Sequence, residues 1–251
     1  MAPAFGKVVP TENGYTVDGV QVPRVTTISN LADKPYLVQA AVNIAAKVIS
    51  EIELEPLDEH RSVVHNIDLQ DAAERAKTAY RMEWDEARDI GQILHAYAES
   101  RLNGAGPGHN HAVPEVKNVL DAFDSWMAAQ NPEALAVEAT VGANSTSGPY
   151  AGRIDAVVKM SGGVFLVDFK TDKSFYDSTV LQLGAYAHAL KEDGLQLDGA
   201  YYVRFDKAAG EWEQKLYTTD VLEMAWQRFE ALLKYWWLSH PKGAGAGRGR
   251  K

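Results

Sequence analysis

The chain has 251 residues, of which 46% are hydrophobic and 24% charged, with a formal net charge of −9 and no cysteine. This is the make-up of an ordinary globular chain with enough apolar residues for one substantial core. It excludes disulfides, a cysteine-held zinc and an iron-sulfur cluster, all of which need thiolates. No apolar run approaches the ~20 residues a membrane helix requires, and the start Met1-Ala2-Pro3-Ala4-Phe5-Gly6-Lys7 lacks a signal-peptide core, so a cytoplasmic protein without membrane contact is expected.

In chain order, Tyr15 to Val22 around Asp18-Gly19 reads as a hairpin. Tyr36 to Ile49 reads as a helix with Asp33 and Pro35 at its start. Helical patterns follow over Leu69–Tyr80, Glu83–Leu102 and Pro114–Ala129, with a Gly/Pro/Asn loop from Asn103 to His111. Strands are expected near Ala134–Val141, Gly152–Lys159 and Val164–Thr171, then a helix over Ser178–Leu190. Two more strands, Gly199–Phe205 and Trp212–Tyr217, precede a last helix from Asp220 to Leu238. In that helix Trp226, Tyr235, Trp236 and Trp237 are spaced with Phe229, Leu232 and Leu233 as core residues. The tail Lys242–Lys251 is Gly-rich and basic, and disorder is expected of it.

The stretch Gly152-Arg153-Ile154-Asp155 followed by Val164-Phe165-Leu166-Val167-Asp168-Phe169-Lys170 carries the chemistry. Met160-Ser161-Gly162-Gly163 is a turn signal between two apolar, β-branched runs, which makes the pair an antiparallel hairpin. With Ser161-Gly162 as the loop, Asp155 faces Asp168; with Gly162-Gly163, it faces Lys170. Either way the strand period of two keeps both acids and Lys170 on one face, while Val167 and Phe169 turn to the other. Directly opposed carboxylates repel unless a positive charge lies between them. Mg²⁺ or Mn²⁺ held by oxygen ligands, with a lysine alongside, suits the hydrolysis of a phosphodiester.

These residues resemble the PD-(D/E)XK nuclease superfamily in its RecB-like exonuclease branch, with Ile154 where the superfamily name has proline. Further stretches agree in order. Gln182 and Tyr186, four apart on the helix after the Asp-x-Lys strand, match the branch's glutamine and tyrosine. Gly91-Gln92-Ile93-Leu94-His95 is similar to its Gly-x-x-x-His helix, whose histidine is a metal ligand. Val22-Pro23-Arg24-Val25-Thr26-Thr27-Ile28 resembles a Pro-x-Val-Thr-x-Ile segment of phage exonucleases and of the mitochondrial genome maintenance exonuclease, with an approach to DNA or an edge strand as its two readings. Glu138 matches a strand glutamate that supports the metal or the nucleophile.

The resemblance implies an α/β (α+β) fold: a central mixed β-sheet flanked by helices, a restriction-endonuclease-like core with an N-terminal helical part. It divides the chain into residues 1–130, an N-terminal hairpin and helical part carrying His95; 131–240, the nuclease core; and the tail 241–251, with one structural domain overall. It implies a Mg²⁺-dependent (or Mn²⁺-dependent) DNA exonuclease without an iron-sulfur cluster, acting on single-stranded DNA or DNA ends in replication, recombination or repair. Asp155, Asp168 and His95 would be metal ligands, the Phe169 carbonyl a fourth. Lys170 would stabilise charge and orient water, and Gln182 and Tyr186 would position substrate. The same site could serve an endonuclease, a flap-type nuclease or a hydrolase of small phosphoesters, and the fold could serve a non-cleaving recombination partner.

Charge and aromatics bear on the DNA. Residues 51–90 hold twelve acids against five Lys and Arg, a net of −7, so most of the imbalance lies in one helical stretch. This leaves the hairpin region free to be locally positive and fits modest affinity assisted by a recombination or replication protein partner. Trp84, Tyr97, Trp126 and Tyr176 are candidate base-stacking platforms, Tyr176 first among them.

Overall fold

Three short antiparallel strands come first among the residues that the computed structural model describes, which are 8–32, 35–50, 55–58, 61–63, 66–109 and 111–241. They are β1 (Val8–Thr11), β2 (Gly14–Val17) and β3 (Val20–Val22). The expected Asp18-Gly19 turn joins the last two, with φ of 50° and 80°. The following Val/Thr run is a short helix, α1 (Val25–Ser29), and not an edge strand. Helix propensity penalises β-branched residues by only a few tenths of a kcal/mol each, whereas burying Val25 and Ile28 completely returns about 1.5–3 kcal/mol apiece.

The chain divides into two compact units, residues 33–90 and residues 1–32 with 91–251. Residues 1–130, expected to form an N-terminal part ahead of the core, are therefore shared between both. The smaller unit contains α2 (Pro35–Ser50), the ribbon β4 (Glu55–Asp58) and β5 (Arg61–Val63), and most of α3 (Asn66–Leu102). The two helices expected over 69–102 are one helix of 37 residues, because Arg81 and Met82 between them are good helix formers and no proline interrupts the run.

The larger unit continues from the C-terminal part of α3 into α4 (Pro114–Gln130). Pro114 starts that helix, and Asn131 ends it in the left-handed region at φ 44°. Then come β6 (Glu133–Val137), β7 (Thr140–Ser145), β8 (Gly148–Arg153), β9 (Ala156–Met160), β10 (Gly163–Lys170), α5 (Asp177–Glu192), β11 (Gly199–Phe205), β12 (Trp212–Tyr217) and α6 (Thr219–Ser239). The main sheet runs β12-β11-β10-β9-β6. β10 and β11 are parallel and the other neighbours antiparallel, so the sheet is mixed. The parallel pair requires a crossover, which α5 provides.

β10 is paired on both edges and covered on both faces, which is why Val164 to Val167 reads as an unbroken apolar run. On one face Leu166, with Val157, Ala200 and Tyr202 of the neighbouring strands, packs into a core shared with α5 and α6. On the other, the Phe169 ring lies 5.3 Å from Phe123 and 5.2 Å from Trp126 of α4, centroid to centroid. The face that carries Asp168 and Lys170 is thus apolar at one end and chemical at the other. In α6, Trp226, Phe229, Leu233 and Trp236 are buried as expected, whereas Tyr235 is 63% exposed; it belongs to the outer stripe of the helix. The tail expected to be disordered lies outside the described residues.

Gly184 sets how closely α5 and α6 approach: a Cβ there would stand 2.6 Å from the Trp226 backbone nitrogen. Backbone cannot step aside as a side-chain tip can, so Gly184→Ala is expected to destabilise by about 1–3 kcal/mol. Urea unfolding followed by circular dichroism checks this; an unchanged midpoint would contradict it.

Candidate active site

The segments expected as single strands at 134–141 and 152–159 are each broken once, and the breaks adjoin. β6 pairs with β9 in the main sheet, while β7 and β8 pair with each other in a separate ribbon, with a single bridge from Ala151 of β8 to Arg24. Both arms leave the main sheet at Glu138-Ala139 and Ile154-Asp155. Two backbone hydrogen bonds hold the corner: Glu138 N–H donates to the Asp155 carbonyl and Ile154 N–H to the Ala139 carbonyl, each at 2.9 Å. Ala139 and Ile154 point into the core, which leaves Glu138 and Asp155 on the other side. Glu138 has φ 49°, a left-handed conformation that costs a non-glycine residue of the order of 1 kcal/mol.

The β9–β10 register is the one in which Asp155 and Asp168 come next in line: Met160 faces Gly163 and Ala156 faces Val167. Ser161 and Gly162 form the turn, with φ of 51° and 82°. The backbone ladder stops at Ala156, and the Asp155 side chain continues it, its Oδ2 accepting from the Phe169 N–H at 2.7 Å. From α3, His95 Nδ1 reaches to 3.3 Å from Asp155 Oδ1 and 3.8 Å from Glu138 Oε1. Asp168 Oδ2 lies 2.5 Å from Lys170 Nζ, and Lys170 also donates to the Phe169 carbonyl at 3.4 Å. All these side chains, with Gln182 and Tyr186 of α5, line one cavity of about 370 Å³, and all belong to the larger unit.

Of the residues singled out in the sequence, His95, Glu138 and Asp155 offer ligand atoms within 4.8 Å of one another. Asp168 is turned to Lys170, and the Phe169 carbonyl serves Lys170. Glu138, expected only as support, therefore stands inside the tightest cluster. Its strand appearance hid the corner that puts it there. Arg153, the residue between Gly152 and Ile154 in the Gly-x-x-Asp stretch, has its Nε 2.6 Å from Glu138 Oε2, with 60% of its side chain exposed. Ser29 was not singled out at all. Of the proposed stacking platforms, Trp126 is fully buried with its N–H given to Gln214, and the Tyr97 hydroxyl is given to Asp124. Tyr176 is half-buried at the start of α5. The Trp84 side chain lies outside the described residues.

The electrostatics fit a cation. Burial and the nearby Asp155 push Glu138 up to about 7. Burial, opposed by Lys170 and reinforced by Asp155, pushes Asp168 up to about 6. Asp155 is held down at about 2, because His95 and Lys170 outweigh its burial. Asp155 in turn raises the His95 imidazole against burial. Asp168 Oδ2, fully enclosed, has an ion-pair neighbour but no aligned hydrogen bond. Crowded carboxylates that hold protons to escape one another, beside an imidazole, form an oxygen-rich donor set suited to a hard divalent ion. The absence of cysteine rules out a thiolate-held cluster in this chain.

A family model for the PD-(D/E)XK nuclease superfamily matches residues 68–237, and the chain belongs to that superfamily. This makes it a nuclease of a class that works with divalent metals on DNA. Solved structures similar to it include the crystal structure of SSO0001, at 14% identity and a TM-score of 0.36, covering 79% of this chain and 85% of that one. They also include LHK-Exo in complex with dAMP, at 12% identity and a TM-score of 0.31, covering 60% of this chain and 85% of that one. No curated protein matches. Among the described residues, no helix is long and apolar enough to cross a membrane.

Two outcomes are expected of this geometry. A Cβ on Gly152 would stand 2.8 Å from the Tyr186 ring and 3.2 Å from Val25, so Gly152→Ala should displace Tyr186 from the cavity and lower stability by about 1–3 kcal/mol. Thermal unfolding and a crystal structure of the variant check both effects. Metal binding must displace protons from Glu138 and Asp168, both raised, so Mn²⁺ affinity should rise with pH. The Glu138 shift alone gives about tenfold between pH 6 and pH 8. Calorimetric titration of Mn²⁺ at the two pH values checks this; equal affinities would show that these carboxylates are not ligands.

Proposed function

We propose that this chain is a metal-dependent DNA exonuclease acting on single-stranded DNA or DNA ends in replication, recombination or repair. The observation that carries the reading is the convergence of Asp155, Asp168, Lys170, His95 and Glu138 on one small cavity with Gln182 and Tyr186 on its wall. A volume of about 370 Å³ suits one small unit of substrate rather than a length of duplex, which favours a strand end or a single strand. The spacing of Gly91 with His95, and of Gln182 with Tyr186, is that of the RecB-like exonuclease branch.

The division of labour follows from the electrostatics. His95, Glu138, Asp155 and Asp168 would hold Mg²⁺ or Mn²⁺, with the Phe169 carbonyl as a further oxygen. When bound, the ion supplies Lewis-acid charge at the phosphoryl oxygen and a lowered pKa for the attacking water. Burial works against the Lys170 charge, but Asp168 and Asp155 outweigh it and hold the ammonium protonated. Lys170 would act as a positive charge beside the phosphate and an orienting donor for water. Arg153, anchored through Nε on Glu138 at the cavity mouth, orients that carboxylate and adds positive charge where substrate enters. Tyr186 is driven far above its ordinary range by burial and by Asp168 and Asp155, so it remains a neutral hydrogen-bond donor. With −9 over the chain, the intrinsic hold on phosphate is modest, and a protein partner at DNA ends fits that charge.

The test is digestion of single- and double-stranded DNA labelled at either the 5′ or the 3′ end, with Mg²⁺, Mn²⁺ or EDTA. Stepwise release of nucleotides from one end is expected with metal only, and Asp168→Ala and Lys170→Ala should each reduce it by about 100-fold or more. Internal cuts without shortening from an end would replace the exonuclease reading with an endonuclease. DNA binding without cleavage under any condition would leave a non-cleaving scaffold.

A further inference from the structure

The Val-Thr-rich segment before residue 30 carries a buried polar chain that ends at the cavity. Ser29, the last residue of α1, is 0% exposed. Its hydroxyl donates to the Thr26 carbonyl at 3.3 Å and accepts from Gln182 Nε2 at 3.1 Å, across 153 residues of sequence. A serine hydroxyl has one proton. With that proton given to Thr26, Ser29 can only accept from Gln182, and this fixes which end of the amide faces α1. The amide nitrogen is turned to Ser29. Oε1, which accepts no hydrogen bond among the described residues, is left to the cavity that Gln182 lines with Asp168, Lys170 and Tyr186.

An amide rotates about its last bond with a broad, nearly two-fold preference, so unbraced it would present donor or acceptor with little discrimination. We infer that Ser29 is a positioning residue for the nuclease reaction: it locks the Gln182 amide so that its carbonyl oxygen faces the reaction centre as an acceptor for a hydrogen of the attacking water. The inference rests on the nuclease reading above. It gives α1 a task other than approaching DNA. Val25 and Ile28 anchor the short helix in the core against α5, and the anchored helix holds the serine against the glutamine. An uncharged acceptor complements the two positive donors, Lys170 and Arg153, already facing the same space. It can align a water without attracting a proton from it, as a further carboxylate would.

The experiment uses the full chain, Mg²⁺ and a single-stranded oligonucleotide, with kcat and KM measured for Ser29→Ala, Ser29→Cys, Ser29→Thr, Gln182→Ala and the Ser29→Ala/Gln182→Ala pair. Ser29→Ala and Ser29→Cys are expected to lower kcat about tenfold with KM held within about twofold. Ser29→Thr, which keeps the hydroxyl, is expected to retain activity. On the Gln182→Ala background, Ser29→Ala should cost nothing more, because its effect passes through that amide. Cysteine keeps the space filled, so it remains informative if the alanine variant folds poorly. The inference is overturned by a Ser29→Ala or Ser29→Cys enzyme with wild-type kcat. A loss that adds to that of Gln182→Ala, or that follows the fall in melting temperature across the series, overturns it as well, since a purely structural serine would behave that way. A wild type that cleaves no DNA overturns the nuclease reading, and the inference with it; a cleaving wild type matched by Ser29→Ala and Ser29→Cys overturns the inference alone.

Discussion

Three carboxylates, the buried Glu138 and Asp168 and the largely buried Asp155, crowd around one small cavity, where among the described residues His95, Lys170 and the exposed Arg153 balance them. Ionised groups so placed are costly unless paired. The protein manages that cost by unequal sharing: Asp155 takes the imidazole and a backbone N–H, Asp168 takes the ammonium, and Glu138 takes the guanidinium while holding its proton to about pH 7. A dication bound here would displace the protons that Glu138 and Asp168 hold and relieve the crowding of the carboxylates. The rest of the larger unit can be understood as the scaffolding that keeps these groups from moving apart.

That scaffolding is a corner. Strand pairs that continued straight would have placed Glu138 and Asp155 on a flat sheet. By letting both arms change partners at the same level, the fold turns two backbone segments around a shared pair of hydrogen bonds. The acids then converge where the main sheet ends and the β7–β8 ribbon begins. The unfavourable φ at Glu138 is the local cost of that turn, offset by the completely buried Ala139 and Ile154 on its other side.

The hairpin and the helices after residue 110 were legible in the sequence, because period-two alternation, helical spacing and the turn residues act locally; the mixed sheet came from the resemblance, and the register was narrowed to two, of which the structure has the one with Ser161-Gly162 as the turn. β11 and β12 lie at the expected bounds. What was not legible depends on long-range pairing. Nothing in Ala134–Val141 marks Glu138 as the point where a strand changes partner, since its left-handed φ comes from the neighbouring segment and not from a glycine. The Val/Thr run became a helix because burial outweighed propensity. Ser29 gave no signal, being one serine among several until the fold brought Gln182 to it. Of the separate unit 33–90, the stretch 51–90 stood out in the sequence as a concentration of negative charge, not as a separately packed unit. Among the candidate ligands, side-chain direction was the missing quantity: the sequence put Asp168 and Lys170 on one face without showing that they would engage each other.

Phe169 faces away from all of this, yet it is wired into it twice. Its ring is held among Phe123, Trp126 and Phe205, while its N–H fixes Asp155 and its carbonyl receives Lys170. A sheet is one backbone thick, so the aromatic layer beneath it is the rear wall of the chemistry in front. Loosening that layer would shift the main chain between the two acids without touching a polar atom. On the proposed function, changes in the greasy side of the sheet would surface as lost turnover beyond what their cost in stability explains, and the reach of the site would extend to residues that never meet solvent, ion or substrate.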